Sequence, residues 1–345
     1  MLLESDDTKV EIEGSIDFVT ANKGGHGFYR ARYSDEMFAS LLHHLESLDD
    51  IERYGLVSDT WAFVRSNQAP ASDFLDLVGE FEAETEQAIW SVIIGGLAAI
   101  EHHALDEDAR EAFEEFVRNL VGPALDRLGW QPSDGESDLD RKLRGSLIVA
   151  MGNLGNDKAT ISKARELTGD LLDGASLDPE VATAALAVFS RHGSADNYAT
   201  LWDTYQNATT PLDQVRYLRA VAGVETDELA IQTIDRIIEG DIRTQDGFWV
   251  LARVLSGHAG PAAWDSARQR WDEVLEAMPG LTRPRVIEGI PALSQPEVAN
   301  DVKAFFAEHP IPEAARNLTQ KLEMLEINVT LRERETAVVS SYFKQ

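Results

Sequence analysis

The sequence predicts a mainly α-helical protein: an irregular α–α superhelix, a HEAT/armadillo-like solenoid, with a small N-terminal β-element. Three observations carry this. Residues 1–33 alternate polar and apolar positions between glycine turns, the period of strands. From Ser34 onward apolar residues recur three and four apart, the period of helices. The 345 residues exceed what one ordinary compact core holds, whereas a helical array extends its core in one dimension.

In order, Lys9-Val-Glu-Ile-Glu13 alternates as a half-buried strand, turned by Gly14-Ser15. Phe18-Val-Thr-Ala-Asn22 and Phe28-Tyr-Arg-Ala-Arg-Tyr33 flank Gly24-Gly-His-Gly27 as a hairpin would. So few short strands do not make a self-sufficient sheet. They fit the last strands of a preceding β-sandwich, or a small sheet resting on helices, and give a division into 1–33 and a helical domain 34–345.

Ser34 is placed to cap the helix carrying Phe38, Leu41, Leu42 and Leu45, and Ser72 that carrying Phe74 and Leu75. Tyr54, Val57, Trp61 and Val64 mark the helix between them. Ile89, Val92, Ile93, Leu97 and Ile100 form a helix apolar enough to be buried on most sides. Phe113 to Leu128 form an amphipathic helix ending at Gly129. Gln131-Pro-Ser-Asp-Gly-Glu-Ser-Asp138 is the clearest loop. Helices are then expected at 139–154, 161–172, 179–191, 198–205, 212–222, 229–238, 248–255, 261–278, 296–307 and 312–334. No repeat is regular enough to name a repeat family from periodicity.

The net charge is −29, from 60 acidic and 31 basic residues. Nucleic acid and anionic membrane are excluded as main partners, since both ask for a cationic surface. There is no cysteine, which removes disulfides, thiol nucleophiles and thiolate metal sites, and fits a cytoplasmic location. No apolar run spans a bilayer, and Met1–Asp7 lacks the pattern of a signal peptide. The Asn207, Asn317 and Asn328 sequons read as chance.

No H-E-x-x-H, G-x-S-x-G, phosphate-binding loop or dinucleotide fingerprint occurs. His43-His44 and His102-His103 are adjacent pairs about 100° apart on a helix, so one of each pair is expected packed and one exposed. His26, His192, His258 and His309 read as ordinary loop or cap residues. Glu82-x-Glu84-x-Glu86 and Glu111-x-x-Glu114-Glu115 read as solvated helix faces. The seven Trp, at helical spacing, read as core.

The run Asn22-Lys-Gly-Gly-His-Gly-Phe-Tyr-Arg-Ala-Arg-Tyr-Ser34 resembles the point where a small β-domain meets the helical C-terminal domain of zinc aminopeptidases of the aminopeptidase N family, which includes membrane alanyl and puromycin-sensitive aminopeptidases. Six further segments follow in order. Asp50-Ile-Glu-Arg-Tyr-Gly-Leu-Val-Ser-Asp-Thr-Trp-Ala62 is similar to that family's E-R-x-G-L-x-D-D-A-W-A, and Glu84-Thr85 with Trp90 to its E-T-x-x-x-x-W. Asp241-Ile-Arg-Thr-Gln-Asp246 is similar to V-R-x-Q-D, and Trp264 with Trp271-Asp272 to A-W-x-F-x-x-x-x-W-D-x-L. The stretches 302–310 and 315–323 resemble the final helices. The departures are Gly257-His258-Ala259, Ser266 and Asn317, where the family more often has other residues.

The resemblance implies the C-terminal domain of a zinc-dependent aminopeptidase. Such a domain caps the active-site chamber and contributes to peptide access and binding. It implies that the zinc and the catalytic groups belong to the catalytic portion of the same enzyme. This chain would then hold no cofactor or catalytic residue and be inactive alone. Its partners would be that catalytic portion and peptides, with neither nucleic acid nor membrane. Arg243 and Gln245, in the R-x-Q-D segment, are candidate substrate-binding donors. Arg285 joins them because Thr282-Arg-Pro-Arg285 is a net-positive patch in an acidic chain. The competing reading of both arginines is neutralisation of neighbouring acids. The alternative function is a free-standing helical scaffold that binds a protein or peptide.

Overall fold

A computed structural model describes residues 16–344. Sixteen α-helices follow one another among the described residues: α1 (Asp35–Leu42), α2 (Asp50–Arg65), α3 (Ala71–Gly79), α4 (Gln87–Ala104), α5 (Arg110–Leu128), α6 (Asp138–Val149), α7 (Lys158–Leu172) and α8 (Pro179–Arg191). Then come α9 (Ala195–Asn207), α10 (Pro211–Val221), α11 (Asp227–Ile238), α12 (Thr244–Leu255), α13 (Gly260–Gln269), α14 (Trp271–Ala277), α15 (Pro296–Glu308) and α16 (Ala315–Phe343). The all-α superhelix expected from the 3.6-residue period is what forms.

Capping chemistry sets many boundaries. The Ser34 hydroxyl accepts the Met37 amide to start α1. Asp49 and Glu52 form a reciprocal capping box at α2. Asp178 caps α8 with Pro179 in its first turn. Gly129 ends α5 with φ at 63°. Ser72 does not cap α3, because that helix already begins at Ala71.

The N-terminal β-element is not found. Between Ile16 and Ser34 the described chain contains no strand, only a short 3₁₀ turn at Lys23–Gly25. Extended backbone becomes a strand only with a neighbour to complete its ladder. Here side chains of α2 take that place: Asp59 accepts the Ala31 amide at 2.8 Å and the Arg30 guanidinium at 2.9 Å. The expected hairpin is instead a left-handed knot. Asn22, Gly24 and Gly25 have positive φ, and the Asn22 side chain both accepts from the Gly27 amide and donates to its carbonyl. The expected strand at Lys9–Glu13 lies outside the described residues.

Even-numbered helices α2, α4, α6, α8 and α10 each pack on the next, and among the odd-numbered ones α3 packs on α5 and α11 on α13, the side-by-side stacking of a helical solenoid. Gly96 lets α4 close on α3, since a Cβ there would run into the fully buried Phe74 ring. The apolar interior divides into two clusters. One is built mainly from α1–α8 and the other from α8–α16.

Three features go beyond the expected elements. The stretch expected as one helix at 261–278 breaks at Arg270 into α13 and α14, so that the Trp264 and Trp271 rings pack 6.2 Å apart. Residues 280–292 form short 3₁₀ turns around Pro284 and Pro291. Finally, α16 continues past Arg334 to Phe343. Its Leu325 and Val329 belong to the C-terminal cluster and its Leu331 and Val339 to the N-terminal one. The Phe343 ring meets Phe113 and Phe116 edge-on at 5.8 and 5.7 Å. This helix closes the superhelix back on its beginning.

Candidate functional site: a concave pocket at converging helix ends

The C-terminal ends of α4, α6, α8, α10 and α12 converge. Glu101, near the end of α4, accepts from Arg191 at the end of α8 at 3.0 Å and meets His258, just past α12, at 2.9 Å. His192 contacts the Gly152 carbonyl at 2.9 Å. The Ser190 hydroxyl donates to the Ala220 carbonyl. Arg191 also pairs with Glu225 at 3.2 Å. Helix C-termini present unpaired carbonyls and partial negative charge, which favours cations. Arg110, Arg191 and Arg253 supply them.

Within this convergence lies a cavity of about 430 Å³, lined chiefly by Asn153, Arg191, Gly223, Glu225, Arg253 and Ser256. Arg253 is its distinctive group. The side chain reaches solvent, yet burial among its neighbours pushes its guanidinium below the ordinary value. Solvent contact and desolvation coexist where a side chain stands inside a concavity. Among the described residues Arg253 forms no ion pair; Glu225 supplies its favourable electrostatic contact. An available, part-desolvated guanidinium suits a carboxylate, which its planar fork can bind at two points.

The sequence-chosen residues are placed elsewhere. Arg243 precedes the first turn of α12, and Gln245 lies exposed within that turn. They stand roughly 15 Å along the helix from Arg253, at 1.5 Å per residue. Arg243 is engaged by Asp246 at 2.8 Å and by Gln214 at 3.0 Å. Arg285 lies over the Phe248 ring at 3.7 Å and pairs loosely with Glu288 at 3.8 Å. Phe248 is three residues after Gln245, so the three candidates gather around the start of α12 but not in the pocket.

Three further expectations change. His102 and His103 are both packed, unlike the exposed-and-packed pair expected. His102 reaches the Ala292 carbonyl at 2.9 Å, and His103 the Ser294 hydroxyl at 2.8 Å. His258 is no ordinary loop residue but a partner of Glu101. Glu84 is buried, not solvated. It accepts from Arg53 at 2.8 Å and from the amides of Thr85 and Glu86, while its carbonyl accepts the Trp90 indole. Two of the quoted motifs therefore bond to each other, and both act in packing. The signal for Glu84 was its Glu-Thr followed by Trp90. Arg253 gave none, since an arginine near a helix C-terminus is common.

The described residues hold no group of three or more His, Asp or Glu side chains that could bind a metal ion.

The geometry defines a class: a closed helical superhelix with a polar concave pocket. Comparison supplies the family. The model of the ERAP1-like C-terminal domain matches residues 18–327, and the chain belongs to that family, the C-terminal domain of M1 aminopeptidases. It is 26% identical over 329 residues to Aminopeptidase M1 of Arabidopsis thaliana, covering 92% of this chain and 37% of that protein. It is 28% identical over 328 residues to Aminopeptidase M1-C of Oryza sativa subsp. japonica, with the same shares. Alanine/arginine aminopeptidase of Saccharomyces cerevisiae is 24% identical over 337 residues, covering 95% of this chain and 39% of that protein. The chain thus spans under two-fifths of the length of these relatives. No helix among the described residues is long and apolar enough to cross a membrane.

Proposed function

We propose that this chain serves a zinc-dependent, cytoplasmic aminopeptidase as the domain that caps the active-site chamber and binds the distal part of peptide substrates. The observation that carries this reading is Arg253, a solvent-reaching, part-desolvated guanidinium without an ion-pair partner among the described residues, standing in the concave pocket. A peptide held at its N-terminus by the catalytic portion trails a backbone and a carboxylate, and the pocket offers a donor of matching charge. Gln245 and Arg285 are outer donors on the same reading, and Arg243 contributes through the Asp246 pair that orders the start of α12.

Residues 1–33 are the passage from the preceding portion. Phe28, Tyr29, Ile51 and Tyr54 form an exposed apolar face there, with Phe28 wholly uncovered among the described residues. Such a face fits a domain contact.

The test is kinetic and uses the whole enzyme. Arg253→Ala is expected to raise KM for peptides roughly tenfold, the loss of one charge-assisted hydrogen bond, while hydrolysis of a short aminoacyl amide is little changed. Arg243→Ala, Gln245→Ala and Arg285→Ala are expected to act in the same direction more weakly. Equal losses on both substrate types, tracking thermal stability, would mean that these residues only support packing.

A further inference from the structure

The superhelix closes where the end of α4 meets the turn at Ile290–Ser294 and the middle of α16, and this closure is polar. His102 reaches the Ala292 carbonyl and His103 the Ser294 hydroxyl. Arg332 donates to the Ser294 hydroxyl at 3.1 Å and to the His102 carbonyl at 2.8 Å. Asn328 donates to the Pro291 carbonyl at 2.8 Å. The His102 ring lies 4.7 Å from that of His103 and 5.6 Å from that of His258. Three imidazoles thus line a junction between two apolar clusters. Elsewhere those clusters are joined along the chain by α8, whose Leu186 belongs to one and Val188 to the other.

We propose that this junction is a proton-operated joint: closed while His102 and His103 are neutral, and opened when they are protonated.

The surrounding charges decide the direction. His103 faces Arg332 from α16, Arg65 from α2, and Glu101 and His102 on its own helix. His102 faces Arg332, Glu101 and His258. Arg332 is itself desolvated and forms no ion pair among the described residues, so a new cation beside it meets an uncompensated one. Glu101 offers little relief, because it already serves Arg191, Arg110 and His258. Burial first, then the neighbouring cations, lower the His103 imidazole to about 3 and lower His102 as well.

When the joint opens, water restores both rings toward the ordinary imidazole range. The closed state is therefore fully favoured above about pH 6.5 and loses ground as pH falls. His258 works in the opposite sense. The hydrogen bond to Glu101 raises its value, so its contribution is complete below the ordinary imidazole range and is lost as pH rises through the raised value. It adds no slope below that range, and the acid limb belongs to His102 and His103. Between pH 6.5 and pH 5, His103 alone shifts the closed–open balance about 16-fold toward open, the slope approaching tenfold per pH unit only below the ordinary imidazole range.

Amide hydrogen exchange on the full chain tests this, with protection factors corrected for the intrinsic pH dependence of exchange. The expected result is a fall of about 16-fold or more in protection at Ala292–Ser294 and His103–Ala104 between pH 6.5 and pH 5. Val188 in α8 should be unaffected. His103→Asn keeps a hydrogen-bonding group near the Nδ1 position and cannot be protonated; it should remove most of the fall. His102→Gln should remove a smaller part, and serves if the first variant does not fold. Protection at the joint that is independent of pH in the wild-type chain would overturn the proposal, as would a fall in His103→Asn equal to that of wild type.

Discussion

Replacing Glu101 with alanine is expected to destabilise the fold by about 3–5 kcal/mol, the range for removing one member of a buried charge cluster. Glu101 is 7% exposed and stands where α4, α5, α8 and the turn after α12 meet. Its Oε1 takes Arg191 at 3.0 Å, His258 at 2.9 Å and Arg110 at 3.6 Å. Alanine would leave the Arg191 and Arg110 guanidinium groups facing each other at converging helix ends, beside a His258 that has lost the partner raising its value, with Glu225 the acid still bonded to Arg191. Burial alone would raise the Glu101 carboxyl, but the hydrogen bond with His258 and the charges of Arg191, His258 and Arg110 outweigh it and hold the value at about 2. A depressed carboxylate stabilises the fold above its ordinary range and loses that contribution as pH falls through the lowered value. Urea denaturation at several pH values reads this directly. The gap between wild type and Glu101→Ala should be full at pH 7 and shrink from about pH 4.5 toward pH 2. A gap that is small at pH 7 would show that the cations are well solvated without the acid.

The second large effect is expected at Glu335. Its side chain is 1% exposed and accepts the Ala71 amide at 2.7 Å. The residue before Ala71 is Pro70, which has no side chain able to cap α3. A carboxylate from the far end of the chain therefore caps that helix, where negative charge is favoured. Glu335 also accepts from Arg334, which donates onward to the Val64 carbonyl at the end of α2. Glu335→Ala removes the cap and strands a part-buried guanidinium. The expected cost is about 3 kcal/mol. Glu335→Gln should recover part of it, because an amide oxygen still accepts the Ala71 hydrogen bond. Equal losses for the two variants would indicate that the effect is packing of α16 and not the cap.

Much of the fold was legible because its signals are local. Pro179 marked the start of α8 and Gly129 the end of α5; the 3.6-residue period did the rest. The motif segments carried the family. In the structure, residues of these segments bond within the fold: Arg53 to Glu84, Trp90 to the Glu84 carbonyl, Trp249 to Asp246, and Trp264 to Asp301. These are bonds within the scaffold.

What escaped is non-local. Glu335 and Ala71 are 264 positions apart, and Glu101 and His258 are 157 apart. No window of sequence contains such a pair. The strand reading of residues 18–33 failed for a related reason: alternation describes two faces, but only a neighbouring strand makes a ladder. The same holds for the site. Arg243, Gln245 and Arg285 were chosen from a motif and a charge pattern, and they cluster at one end of α12. Arg253 at the other end gains its character from the curvature of the whole superhelix.

On the proposed function, this chain is the peptide-binding cap of an enzyme whose chemistry lies in another portion. Complementation measures it most directly: the chain and the catalytic portion are prepared separately, then assayed alone and mixed, with zinc present, on a peptide and on an alanyl amide. The expected result is no turnover by this chain alone and peptide hydrolysis by the mixture well above that of the catalytic portion alone. Chelator-sensitive, stoichiometric hydrolysis by this chain alone, or equal peptide hydrolysis by the catalytic portion with and without it, would show that this chain is not such a cap.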